Sequence, residues 1–347
     1  MKKQLFTIAA GIAIGLAAGA NVNAETLVFA GPGGSWQKIM EPLVIKPFEK
    51  ECGCTIKYQP GSSNANLAKV IATQGNPEID VMYSGNLQQI QGAAQGLFQP
   101  LKTEAMPNLG NVWPKLLDEK KTNAFLGVIG GGYAYNTKIF AERNLAPPTS
   151  IMDMLRPEFK GRLVIEGAYS NYGMGMLILM AEANGGGVNN IEPGFDFAKK
   201  VAPSVVVYAR KTTDTSRALQ QGTAWITWWG DVRARTMAAS GFPLKWVPAK
   251  EGIPSIIMGA SVVKGSKVAD AGFRLINYLL SKNVQEVLAD KLNLGPTVKN
   301  ADLSDEVSER VIFGPEEVGK LMQIDWLTVA EHKAKWIDRW NREVQGR

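Results

Sequence analysis

Thr26-Leu27-Val28-Phe29-Ala30-Gly31-Pro32-Gly33-Gly34 is an apolar run of strand length that stops at a glycine-proline turn, and an amphipathic stretch from Ser35 to Glu51 follows at once. Strand, glycine loop and helix in that order form the unit from which α/β proteins are built. The unit recurs. Thr55 to Gln59 reads as a second strand and Asn64 to Gln74 as a helix, and Ile79 to Tyr83 reads as a third strand that opens onto Ser84-Gly85-Asn86. Ligand sites in open α/β sheets lie beyond such strand ends, so the loops after these strands are the first places to look for function.

Further along, the strand-like region from Phe125 to Phe140 is interrupted by Gly130-Gly131-Gly132. Triple glycine suits either a flexible crossover between two lobes or a strand packed too closely to admit side chains, and the sequence supports both readings. After Pro147-Pro148 a second α/β set begins. Its strands are expected at Arg162 to Ile165, Val205 to Tyr208, Ala224 to Trp228 and Ser255 to Val263. Strongly amphipathic stretches at Ala269 to Leu280 and around Val284 to Lys291 read as helices, and a last helix from about Thr328 to Val344 is expected to pack as a cover.

The first 24 residues read as an export leader: Lys2 and Lys3, an uncharged apolar run from Leu5 to Ala20, then Val22-Asn23-Ala24 with small residues at a cleavage site. Cleavage near Ala24 places the mature chain in the periplasm, and no Cys stands near the cut to carry a lipid. About 320 residues then remain, enough for two lobes with a large core. The formal charge falls from +6 to +4 with the loss of Lys2 and Lys3. The remaining Lys and Arg are scattered among acids, which argues against a nucleic-acid binder. Hydrophobic content of 45% fits a soluble globular protein.

Several chemistries are set aside by what is missing. There is no Gly-x-Ser-x-Gly elbow, no phosphate loop ending in Lys-Ser or Lys-Thr, and no His-Glu-x-x-His, and the single His332 leaves no usual general base. Gly31-Pro32-Gly33-Gly34 lacks the spacing of a dinucleotide loop. No cofactor is expected. Cys52 and Cys54 are too few for a zinc site without further ligands, and one intervening residue leaves open whether they pair as a local disulfide. A hydrolase built on paired carboxylates stays a minor alternative, because no spacing singles out a pair.

Aromatic residues at strand ends are more telling. Trp36 beside Ser35 follows the first glycine loop, Tyr83 precedes Ser84 and Gly85, Tyr169-Ser170-Asn171-Tyr172 fills a glycine-flanked loop, and Trp228-Trp229-Gly230-Asp231 closes another strand. Such rings can stack on a ligand while a polar neighbour orients it. Trp228 and Trp229 must point to opposite faces of their strand, and Trp229 is the one expected to face a cleft. Thr212, Thr213 and Asp214 can bond a ligand or cap a helix, with capping favoured, and Asp231 can face an ammonium group or cap the helix that follows.

Four stretches, Gly132-Tyr-Ala-Tyr-Asn-Thr-Lys138, Leu155-Arg-Pro-Glu-Phe-Lys-Gly-Arg-Leu163, Trp246-Val-Pro-Ala-Lys-Glu-Gly252 and Ala271-Gly-Phe-Arg-Leu-Ile-Asn-Tyr-Leu-Leu280, resemble the periplasmic solute-binding proteins of ABC importers, in the group that includes spermidine/putrescine-binding proteins. The resemblance implies an α/β type II periplasmic binding fold, with two lobes joined by crossing hinge strands. By analogy residues 25–134 and 256–299 form the first lobe, and 135–255 with 300–347 the second, including the C-terminal cover helix. It further implies a small-molecule solute, permease and ATPase partners at the inner membrane, a monomer, and no catalysis. The implied ligand contacts are Ser35, Trp36, Ser84, Gly85, Tyr169, Ser170, Asn171, Tyr172, Thr213, Trp229, Asp231, Met258 and Gly259. Polyamine binders of the family pair carboxylates with amines; here Gly259 after Met258 stands where the family has an acid, and Asn171 lies in a loop that often supplies another. A polyamine-like cation is the first expectation for the cargo, with Asp231 and Glu166 as the carboxylates available. An organic acid engaging Arg210, a phosphonate or a metal chelate is the alternative.

Overall fold

A computed structural model describes residues 25–118 and 120–346. The export leader read at residues 1–24 lies outside the described residues.

Nine strands form the sheet: β1 (Thr26–Gly31), β2 (Thr55–Pro60), β3 (Val81–Gly85), β4 (Ala124–Asn136), β5 (Leu163–Glu166), β6 (Val205–Ala209), β7 (Ile226–Gly230), β8 (Leu244–Val247) and β9 (Ser255–Val262). Their order is β2-β1-β3-β9-β4-β7-β5-β6, with β8 also paired to β4. In the first half β1, β2 and β3 run parallel, and β9 returns antiparallel between β3 and β4. In the second half β5, β6 and β7 run parallel, and β7 lies antiparallel to β4. β4 therefore belongs to both halves, pairing with β9 through its first part and with β7 and β8 through its second.

The helices that follow the strand ends are α1 (Ser35–Met40) and α2 (Lys46–Cys52), joined by a π-helical turn at Glu41–Ile45, then α3 (Ser63–Ala72) and α4 (Asn86–Ala94). The second half carries α5 (Thr137–Glu142), α6 (Asn171–Ala183), α7 (Glu192–Val201), α8 (Thr212–Gln220) and α9 (Asp231–Ala239). α10 (Ala269–Leu279) and α11 (Lys282–Leu292) return to the first half, and α12 (Asp305–Ser308), α13 (Gly314–Gly319) and α14 (Trp326–Glu343) end the chain. α10 shows why these segments fold as helices: Ala271, Gly272, Leu275, Ile276 and Leu279 recur at helical spacing and are buried together. α14 covers the second half through Val329, Trp336 and Trp340, and its first residue, Trp326, shares a buried cluster with Leu87 of α4. No helix among the described residues is long and apolar enough to cross a membrane.

Gly130, Gly131 and Gly132 sit inside β4, and none of them has a positive φ. A Cβ on Gly132 would lie 2.6 Å from the Trp246 ring and 2.7 Å from the Val247 carbonyl oxygen. One on Gly131 would lie 3.1 Å from the Pro254 carbonyl oxygen and 3.3 Å from Trp228 Nε1. Close packing accounts for the three glycines: the crossover they mark is a crowded, fully paired strand. Cys52 and Cys54 are joined as a disulfide around Gly53, whose left-handed φ of 64° ends α2.

Candidate functional site

The register of the strands places the site. Gly85, the last residue of β3, pairs with Met258 of β9, which in turn pairs with Gly127 of β4. Gly230, the last residue of β7, pairs with Gly131 of β4. Because β3 and β7 run in opposite directions, their C-terminal ends approach the middle of β4 from either side. Four residues of extended chain, about 13 Å, separate them. The loops after β1, β2 and β3 thus confront the loops after β5, β6 and β7 across a cleft whose floor is the middle of β4 and the start of β9.

On the first side Trp36 is half-buried and stacks on Tyr83, ring centroids 5.2 Å apart, while Ser35 is exposed. The Tyr58 hydroxyl donates to the Pro32 carbonyl at 2.7 Å and holds the first glycine loop. Ser62 caps α3 by accepting from Ala65 N–H, and α4 begins at Asn86 with no side-chain cap. On the second side Ser170 caps α6 by accepting from Gly173 N–H at 2.9 Å, with Tyr169 and Asn171 half-buried beside it.

An arginine completes this wall. Arg233 Nη1 donates to Glu166 Oε1 at 2.7 Å, and its guanidinium lies 4.9 Å from the centroid of the Tyr172 ring. The Glu166 side chain is 7% exposed and that of Arg233 is 36% exposed, so the carboxylate is the buried anchor and the guanidinium keeps an open edge. Burial pushes the Tyr172 phenol well above its ordinary pKa, so it stays a neutral donor in the wall.

Asp231 is fully buried. Its Oδ1 accepts from Gly130 N–H at 3.0 Å and from Val232 N–H at 2.8 Å, which ties the start of α9 to the middle of β4. Burial raises its pKa to about 7 in spite of the nearby Arg235 guanidinium and the two N–H donors. Asp214 Oδ2 accepts from the N–H groups of Arg210 and Lys211, both at 3.0 Å, so the favoured capping role is the one it fills. Those bonds hold its carboxyl below the usual range.

The anticipated contacts divide into two groups. Ser35, Trp36, Gly85, Tyr169, Ser170, Asn171, Tyr172 and Thr213 lie at the cleft's strand ends, with Thr213 exposed at the start of α8. Ser84, Trp229, Asp231, Met258 and Gly259 do not offer a side chain to it. Trp229 is 1% exposed and packs in the core with Trp246, whose Nε1–H donates to the Trp229 carbonyl. The two tryptophans do point to opposite faces, but α9 and β8 cover the Trp229 face; Trp228, edge-on to Tyr133 and against Gly131, stands nearer the floor. Met258 is in the core, Ser84 is enclosed with its hydroxyl directed to the Gly85 carbonyl, and Asp231 is fully buried, its Oδ1 held by two backbone donors and its Oδ2 without a partner among the described residues. A Cβ on Gly259 would overlap Asn123 Oδ1. Arg233 and Asn123 are absent from the sequence reading. Arg233 had a weak signal, a cation at the first turn of a helix that follows a strand-end glycine.

Next to the strand ends a cavity of about 620 Å³ lies between α4, residues 114–118 and 120–123, β9 and the 321–327 segment that leads into α14. Asn86, Ser255 and Ile257 line it, so it opens from the cleft floor. Among the described residues no three His, Cys, Asp or Glu side chains gather as a metal site.

Residues 44–315 match the family model described as bacterial extracellular solute-binding protein. The chain belongs to that family. A crystal structure of an ABC transporter from Clostridium perfringens has the same two-lobed fold, with a TM-score of 0.82 and 26% identity over 92% of this chain and 99% of that one. The spermidine/putrescine-binding periplasmic protein of Escherichia coli is 23% identical over 89% of each chain. A Salmonella typhimurium protein named for periplasmic 2-aminoethylphosphonate binding is 24% identical over 90% of this chain and 88% of its own. This solute-binding protein is therefore the receptor of an ABC importer, a transport-associated binding protein rather than an enzyme.

Proposed function

We propose that this solute-binding protein captures a small solute bearing an anionic head, a phosphonate, phosphate or carboxylate, and delivers it from the periplasm to its permease. Arg233 carries the reading: a guanidinium pinned by a buried carboxylate and an aromatic ring at the strand ends, its side chain still 36% exposed. Such a fork suits a tetrahedral or planar anion, and the N-terminal N–H groups of α6 add partial positive charge on the same side of the cleft.

The polyamine expectation weakens on the same inventory. The strand-end loops contain three carboxylates, Glu166, Asp214 and Asp231. Glu166 is spent on Arg233, Asp214 on two backbone donors, and Asp231 is sealed in the hinge. A diamine desolvated in this cleft would lack the paired anions that offset its burial. The two relatives named for their cargo divide along this line, one named for spermidine and putrescine and one for 2-aminoethylphosphonate, which itself carries an amine. The lobes are taken as residues 25–134 with 256–299, and 135–255 with the C-terminal segment, acting as a monomer.

Calorimetry of the mature protein tests the reading, with methylphosphonate, 2-aminoethylphosphonate, glycerol 3-phosphate, acetate, putrescine and spermidine as titrants. At least one anion is expected to bind, and Arg233→Met to weaken it by about tenfold or more. Tight spermidine binding that is indifferent to Arg233→Met would overturn it.

A further inference from the structure

Asp231 opens α9, and Arg235 follows it one helical turn later. Acid before base at that spacing is the arrangement in which helical ion pairs close. Here the pair stays open. Asp231 Oδ2 and Arg235 Nε are both sealed from solvent, and neither has a hydrogen-bond partner among the described residues. A buried acceptor and a buried donor left unmet a turn apart are costly, and each is the other's natural partner.

The arginine is held elsewhere. Its Nη1 donates to the Glu309 carbonyl, and its guanidinium lies 5.3 Å from the centroid of the Trp246 ring. Glu309 belongs to a segment fixed to the other half of the molecule. The next residue, Arg310, donates to Asp290 Oδ1 at 3.0 Å and to Asn293 Oδ1 at 3.1 Å at the end of α11. Ile312 then fills the space over the crossover: a Cβ on Gly130 of β4 would overlap its Cδ1, and one on Gly295 would overlap its carbonyl oxygen. Residues 309–312 are thus riveted to the first half and to β4, while Arg235 ties them to α9 of the second. Asp231 Oδ1 meanwhile holds Gly130 N–H, so both members of the open pair sit against the strand that the two halves share. The charged groups facing them from other elements are Glu317 of α13, which repels Asp231 and attracts Arg235, and Arg310, which repels Arg235.

We infer that Arg235 exchanges partners as the two halves move: it clasps the Glu309 carbonyl in the arrangement described here, and it turns back to Asp231 Oδ2 when the halves shift about β4. The exchange is a property of the crossover and holds whatever the cargo is. A charged Asp231 favours the return, and a protonated one favours the clasp. Because burial raises that carboxyl to about 7, the balance turns near neutral pH, with the clasp favoured on the acid side.

The test is double electron–electron resonance on the cargo-free protein, with spin labels at Gln74→Cys in the first half and Lys200→Cys in the second, both exposed positions. At pH 6 the distance of the described arrangement should dominate; by pH 8.5 the ratio should move about tenfold toward a second distance. Asp231→Asn, which has no charge to recruit the arginine, should keep the first distance at both pH values. Arg235→Met should move the ratio about tenfold toward the second distance already at pH 6, and lose the pH dependence. Arg310→Met, at a partly exposed residue, frees the segment from α11 and should move the ratio the same way, which keeps the test open if Arg235→Met does not fold. A wild-type distribution unchanged between pH 6 and 8.5 overturns the inference, as does a pH response that persists in Asp231→Asn. Distributions at pH 6 that are equal in wild type, Arg235→Met and Arg310→Met overturn it as well.

Discussion

Replacing Asp231 with Asn should stabilise the protein increasingly as pH rises from about 4 to 7, with the full gain kept in mild alkali. The folded carboxyl titrates at about 7, raised first by burial, against an ordinary value of 3.8. Between those values the native state holds a proton that the unfolded chain has released, so stability is fully present below about pH 4 and falls as pH rises through 7. About three pKa units at 1.36 kcal/mol each give a ceiling of roughly 4 kcal/mol lost by pH 8. With an unfolding entropy of roughly 2.1 cal/mol/K per residue, that is about 6 °C in Tm for a chain of this size. Asn keeps an acceptor for Gly130 N–H and Val232 N–H and carries no charge to desolvate. Arg235, which attracts the carboxylate, and Glu317, which repels it, are present in both proteins. The assay is differential scanning fluorimetry from pH 5 to 8.5, reading the variant's Tm minus the wild type's. The difference should grow steadily from pH 5 to about 7 and level off above it. A flat difference, or a variant that loses ground at pH 8, would refute a buried, charged hinge carboxylate.

Three further outcomes follow from contacts already described. Arg233→Met should cost about 1–3 kcal/mol in urea unfolding besides weakening anion binding, because it strands Glu166 without its partner; an unchanged midpoint would mean that Glu166 is hydrated. Gly132→Ala should destabilise by about 1–3 kcal/mol, since the new methyl meets the Trp246 ring and the Val247 carbonyl, and full stability would show that β4 yields more readily than its packing implies. The double change Cys52→Ser, Cys54→Ser should cost only about 1.5 kcal/mol, because the cross-link closes a three-residue ring; loss of folding would assign the bridge a larger role.

The strands and their glycine loops were legible because each is a short apolar run with a turn residue at its end; Thr26 to Gly31 folds as that pattern dictates, whereas the strand expected at Ala224 to Trp228 runs two residues later, Ile226–Gly230. Which side of a strand opens to the cleft was not legible. Alternation separates Trp228 from Trp229 correctly, yet the Trp229 face is closed by Trp246 of β8, a contact that only the β4·β8 pairing creates. The glycine triplet supported two readings at sequence level because glycine's freedom and its lack of bulk leave the same trace; the ring of Trp246 decides between them. Arg233 escaped because its partner, Glu166, is 67 residues earlier and no local motif links them. Asn123 escaped for the same reason, since its meaning depends on lying over Gly259. Absence of a carboxylate at 259 was visible in the sequence, but the filling of that space by the Asn123 amide, one residue before β4, was not.

If the proposed cargo touches both sides of the cleft, closure depends on which contacts each side makes. A ligand shifts a two-state equilibrium only by its differential affinity for the two states, and moving it from 1:99 to 99:1 takes about 5.5 kcal/mol. Bonds from an anion to Arg233 and the α6 N-terminus all lie in the second half, so they form equally in open and closed states and add affinity without bias. Bias must come from the first half, whose strand ends carry Ser35, Trp36 and Gly85. A bare head such as methylphosphonate should therefore bind without drawing the lobes together, whereas glycerol 3-phosphate, which reaches both sides, should do so. Small-angle X-ray scattering reads the difference as a fall in radius of gyration with the second ligand and none with the first at equal saturation. Equal compaction by both would mean that the head alone touches both lobes, and would move the anion site from Arg233 to the floor of the cleft.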